Sequence, residues 1–121
     1  MASTKAPECL VFLAAAAIAK GKVVKTGADA EHVAVASAAT DKSIGILQTA
    51  TSAAEDVAEV AVMGGAKALA GGTIAVGDLV TADSNGALVA TTTGNDRAMG
   101  IALSAAVSGD IFDVLMQISN V

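Results

Sequence analysis

The chain's second half repeats its first, and that constrains the fold more than any other sequence feature. Ile18-Ala19-Lys20-Gly21-Lys22-Val23-Val24 aligns with Ile74-Ala75-Val76-Gly77-Asp78-Leu79-Val80. Thr40-Asp41-Lys42-Ser43-Ile44-Gly45-Ile46 aligns with Asn95-Asp96-Arg97-Ala98-Met99-Gly100-Ile101, and Asp56-Val57-Ala58-Glu59-Val60 with Asp110-Ile111-Phe112-Asp113-Val114. The offset stays near about 55 residues throughout. A repeat of this length means that one supersecondary unit is used twice. The sequence therefore predicts one domain over residues 10–121, made of pseudo-repeats 18–63 and 74–118 bridged by residues 64–73. Residues 1–9 precede it as a flexible arm.

The second copy shows most clearly what the unit is. Asp83-Ser84-Asn85-Gly86 is a hairpin turn signal, because Asn-Gly suits positive φ. It would join strands at residues 79–81 and 88–91. Residues 91–96 then form a loop into a strand at 98–104, and Ser108-Gly109-Asp110 forms another turn. From there Phe112, Val114, Met116 and Ile118 alternate with Asp113 and Gln117, the two-residue period of a strand. The first copy alternates more weakly, with Ala58, Val60 and Val62 opposite Glu59. Residues 53–61 are also rich in helix formers, so a strand and a helix both remain open there, with a helical turn at 52–55. Residues 10–19 are open in the same way. Gly64-Gly65 and Gly71-Gly72 bracket a short alternating strand within the bridge. The expectation is an all-β fold: a compact β-sandwich or barrel-like domain built from a tandem duplication, with little helix.

Composition limits what such a domain can do. Hydrophobic residues make up 54% of the 121, but about a quarter of the chain is Ala and only two residues are aromatic, Phe12 and Phe112. Burying Ala removes little area from water compared with Val, Leu or Ile. A core of this kind is thin, and association with other subunits is a usual remedy. The net charge is −5, without a basic cluster or stacking aromatics, which argues against nucleic-acid binding. Residues 9–19 are too few to span a membrane. That run does resemble a signal peptide, with Lys5 before it and Ala17-Ile18-Ala19 as a cleavage-like site. Glu8 in the flank and the place of Ile18-Ala19 in the repeat weigh against export.

Catalytic chemistry finds little to build on. The closest carboxylate pairs, Glu55/Asp56 and Asp110/Asp113, recur in both copies, which indicates a structural task performed twice. His32, in Asp29-Ala30-Glu31-His32, lacks the second His or Cys that a zinc site usually takes. Residues 83–86 lack the loop of a calcium site, and the glycine pairs lack the following Lys-Ser/Thr of a phosphate loop. Cys9, the sole cysteine, is expected as a small buried hydrophobe. No catalytic, metal or cofactor residue is assigned.

Three stretches together resemble the capsid cement, or head decoration, proteins of tailed bacteriophages. They are Ile74-Ala75-Val76-Gly77-Asp78-Leu79-Val80, then Gly86-Ala87-Leu88-Val89-Ala90-Thr91-Thr92-Thr93-Gly94-Asn95, then residues 100–110 from Gly100-Ile101-Ala102-Leu103 to Ser108-Gly109-Asp110. The resemblance implies a structural virion protein on the outer surface of a phage head, present in the host cytoplasm before assembly. Its partners would be the major capsid protein and itself, as a homotrimer, with no cofactor. The arm residues Ser3, Thr4, Lys5, Pro7 and Glu8 are the candidates for capsid contact. A secreted or surface-exposed β adhesion module is the competing reading.

Overall fold

The computed structural model describes residues 7–120 other than 28, 30, 93 and 95. Among these there is no helix, and nine strands form one continuous sheet. In chain order they are β1 (Pro7–Ala14), β2 (Val23–Thr26), β3 (His32–Val35), β4 (Ser43–Leu47), β5 (Val57–Leu69), β6 (Leu79–Ala82), β7 (Leu88–Ala90), β8 (Arg97–Ala102) and β9 (Ile111–Asn120). The spatial order is β1-β3-β2-β4-β5-β9-β8-β6-β7. An added β1–β5 ladder closes the first five into a barrel. Closure removes the unpaired edges that a small open sheet would leave.

Neither ambiguous segment is helical, and each resolves to strand in part. Residues 10–14 lie in β1, and 57–61 lie in β5 after a turn at residues 54–55. β9 alternates as its sequence does, with Phe112, Val114 and Met116 buried and Ile111, Leu115 and Gln117 exposed.

The bridge departs from expectation. Gly64-Gly65 does not separate two elements, because β5 runs unbroken through 13 residues. Gly64 has φ +82° and is the partner of Pro7 in one ladder and of Met116 in another. Continuous pairing carries the strand past a residue that on its own signals a break. β5 consequently serves both halves. Residues 57–64 pair with β1, and residues 64–69 pair with β9.

The ladders of the two halves match. In the first half Leu10, Val11, Phe12 and Leu13 oppose Val60, Glu59, Ala58 and Val57. In the second, Ala66, Lys67, Ala68 and Leu69 oppose Val114, Asp113, Phe112 and Ile111. The Val24↔Gly45 pair of β2–β4 has its counterpart in Val80↔Gly100 of β6–β8. Ile18↔Thr51 corresponds to Ile74↔Ala106. Ala14 makes a parallel pair with Val33, as Ala70 does with Leu88. The end of β5 thus does for the second half what β1 does for the first.

Small residues let the layers approach. A Cβ on Gly45 would strike the Ala61 carbonyl oxygen, and one on Gly100 the Leu115 carbonyl oxygen. One core fills the first barrel around Val24, Val33, Leu47 and Val60. The other fills the second half around Ile74, Val80, Leu88, Met99 and Phe112, and includes Val23, Ile46 and Ala61 from the first. The halves are joined through that shared core.

Candidate docking surfaces

The residues singled out from the sequence do not converge. Ser3, Thr4 and Lys5 lie outside the described residues. Pro7 and Glu8 begin β1, paired with Gly64 and Met63 of β5, so the ladder reaches three residues further back than residue 10. Cys9 is exposed, not buried. Ala14 and Phe12 are the β1 residues that turn inward, and alternation turns Cys9 outward. Partial burial, then the nearby Glu59 and Glu8 carboxylates, push its thiol above the ordinary value, away from the reactive thiolate.

The carboxylates serve turns and ion pairs. Asp56 Oδ2 accepts hydrogen bonds from Ser52 N–H at 2.8 Å, Ser52 Oγ–H at 2.9 Å and Ala53 N–H at 3.2 Å. The Ser52 backbone bond is the main cause holding its pKa below the ordinary value. Asp110 does the same for Val107 N–H at 3.1 Å. Their neighbours point elsewhere: Glu55 bonds His32 and Asp113 bonds Lys67. Neither sequence pair is a catalytic dyad in space. Asp83 accepts from Asn85 and Ala87 N–H at 2.8 and 3.1 Å, closing the predicted hairpin turn on itself.

His32 stands between two carboxylates. Its Nδ1 lies 2.8 Å from Asp29 Oδ1 and its Nε2 lies 2.8 Å from Glu55 Oε2. Both ring nitrogens donate only when the ring is an imidazolium. The Asp29 bond first, and the Glu55 bond second, raise its pKa above the ordinary value. The Asp29–His32–Glu55 chain ties the β2–β3 turn to the turn before β5. Sequence spacing could not reveal this link, since Glu55 is 23 residues from His32.

Apolar side chains remain exposed on both halves. In the first half Val11 and Val57 are exposed, and Val11, Phe12, Leu13 and Glu31 line an open depression. In the second half Val76, Leu79, Leu103, Val107, Ile111 and Leu115 are exposed. Scattered apolar residues on a surface are ordinary, but faces built from neighbouring strands mark contact sites. Sequence reasoning missed these faces. Their signal was present in the apolar residues at outward positions of β6 and β9.

A closed five-strand barrel with extra strands, built largely on small side chains, defines a small all-β module. More narrowly, this chain belongs to the phage cement protein family, which matches residues 8–118. Among solved structures it is similar to the N-terminal base of the head fibre protein gp8.5 of bacteriophage phi29. That match has a TM-score of 0.72 at 16% identity and covers 94% of this chain and 97% of the other, a likeness of fold. No curated protein matches.

Proposed function

We propose that this protein cements a phage head, binding its outer surface and stabilising contacts between major capsid protein subunits. It acts by adhesion, with no catalysis, no cofactor, and no nucleic-acid or membrane contact. The family match across residues 8–118 carries this reading. An alanine-lined barrel gains solidity by docking onto neighbours, and an acidic chain of net charge −5 suits the outside of a shell. The working form is a homotrimer, made in the host cytoplasm and then held on the virion. Ser3, Thr4, Lys5, Pro7 and Glu8 are the candidates for capsid contact, Pro7 and Glu8 from the start of β1. The shared ladder registers support descent of the two halves from one duplicated unit. Export is disfavoured, because cleavage after Ala19 would remove β1, whose ladder with β5 closes the barrel.

The test is to add the protein to heads assembled without it. Electron microscopy is expected to show saturable binding at symmetric positions, and the temperature of DNA release is expected to rise. Heads that bind none at any stage of expansion refute the proposal.

A further inference from the structure

We infer that the open outer row of the second half, Leu79–Ile101–Leu115, is the surface on which a second copy of this chain docks head to tail. This deepens the reading of the protein as a self-associating cement and rests on it.

The first half supplies the template. Val23, Ile46 and Ala61 form one row across β2, β4 and β5, through the pairs Val23↔Ile46 and Ile46↔Ala61. All three are 0% exposed. The second half covers them: they share its core, and the Gly86 carbonyl at the β6–β7 turn accepts Val23 N–H at 2.7 Å. The equivalent row of the second half is Leu79↔Ile101↔Leu115, in the same ladders. There Leu79 is 37% and Leu115 41% exposed.

At the turns and strand ends that flank the row, its rim, three positions change in the same direction, while the exposed Met63 gives way to Gln117. Lys20 precedes Gly21 (φ +89°) as Val76 precedes Gly77 (φ +90°). Gln48 N–H bonds the Glu59 carbonyl as Leu103 N–H bonds that of Asp113. The Ala53 carbonyl accepts Asp56 N–H as the Val107 carbonyl accepts Asp110 N–H. The backbone roles are equal, yet Lys20, Gln48 and Ala53 are replaced by the exposed Val76, Leu103 and Val107. One fold in two copies shows that these positions tolerate polar or small residues. Apolar ones there indicate a face that is covered in use.

The occupant follows from what already covers the row in the first half, which is the hairpin end of a unit of the same topology. In the next chain the matching unit is its first half, whose β2, β3 and β4 pair as β6, β7 and β8 do. Different surfaces meet in such a contact, and a heterologous contact of this kind closes into a ring when its rotation permits.

The second half can be given the first half's rim. In the full chain, Val76→Lys, Leu103→Gln and Val107→Ala are combined, and sedimentation velocity and thermal melting are measured. Wild type is expected to sediment as an assembly. The triple variant is expected to keep one cooperative melting transition but to self-associate at least about tenfold more weakly, a change equal to about 1.4 kcal/mol. Leu115→Glu is expected to do the same. The reverse control, Ala53→Glu, is expected to leave the assembly intact. A monomeric wild type, or an assembly that both variants preserve, overturns the inference. Binding to cement-free heads, measured in parallel, separates the two readings. Heads that take up a monomeric wild type overturn this surface alone, and a self-associating chain that no head binds overturns the cement function alone.

Discussion

The two halves of this molecule share a register but not a distribution of volume. Across β1 and β5, Phe12 faces Ala58; across β5 and β9, Ala68 faces Phe112. Each barrel layer receives one ring and one methyl group, but from opposite strands. Cores accept such exchanges when total volume and pattern are kept. Burial differs as well. Phe112 is 3% exposed, while Phe12 only packs against its core from a half-buried place. The opening strand of the second half is the continuation of β5, held by what precedes it. Within β1, Leu10 is 53% exposed. Pairing geometry is the common property; how tightly each half is filled depends on what lies next to it.

Substitutions at equivalent positions test this. The largest effect is expected for Phe112→Ala, a loss of roughly 3–5 kcal/mol in denaturant unfolding, with Phe12→Ala costing clearly less. Adding Ala68→Phe to Phe112→Ala would copy the first half's arrangement and is expected to recover much of the loss. Equal costs for the two Phe→Ala variants would mean that the halves are filled alike.

Next are Gly45→Ala and Gly100→Ala. Each puts a Cβ against the carbonyl of a neighbouring strand, and both are expected to cost at least about 1–3 kcal/mol. If either melts as wild type, the close approach of strands in that half is wrong. A smaller effect distinguishes the turns before β5 and β9. Glu55 has φ 72° where Gly109 has φ 92°, and a side chain in that region costs roughly 1–2 kcal/mol. Gly109→Ala is therefore expected to destabilise by about that amount, and Glu55→Gly to raise the melting temperature slightly.

The smallest concerns His32, which has no counterpart in the second half. Its folded pKa is raised by Asp29 and Glu55. Its contribution is thus fully present below the unfolded value near 6.5 and is lost as pH rises through the folded value. Asp29, lowered first by the His32 bond, contributes above its own unfolded value and loses this as pH falls. NMR titration is expected to place the His32 pKa above 6.5 and to bring it back down in Asp29→Asn.

Much of the fold was legible in the residues, because strands and hairpin turns are local. Alternation marked β9, the Asp83-Ser84-Asn85-Gly86 turn marked β6–β7, and the matched blocks at Ile18/Ile74, Gly45/Gly100 and Asp56/Asp110 fall at matching places in the ladders. Tertiary structure alone decided the rest. Sequence could not show that Gly64 continues a strand, because its φ is set by two flanking ladders that exist only once the chain is folded. Nor could it show that Cys9 faces outward, or that His32 finds Glu55. Above all, Val23-Ile46-Ala61 and Leu79-Ile101-Leu115 read alike as apolar, and only the packing of one half on the other buries the first row and leaves the second open. Period and turn chemistry are carried by neighbours in the chain; which face is covered is a property of surfaces that meet from far apart in it.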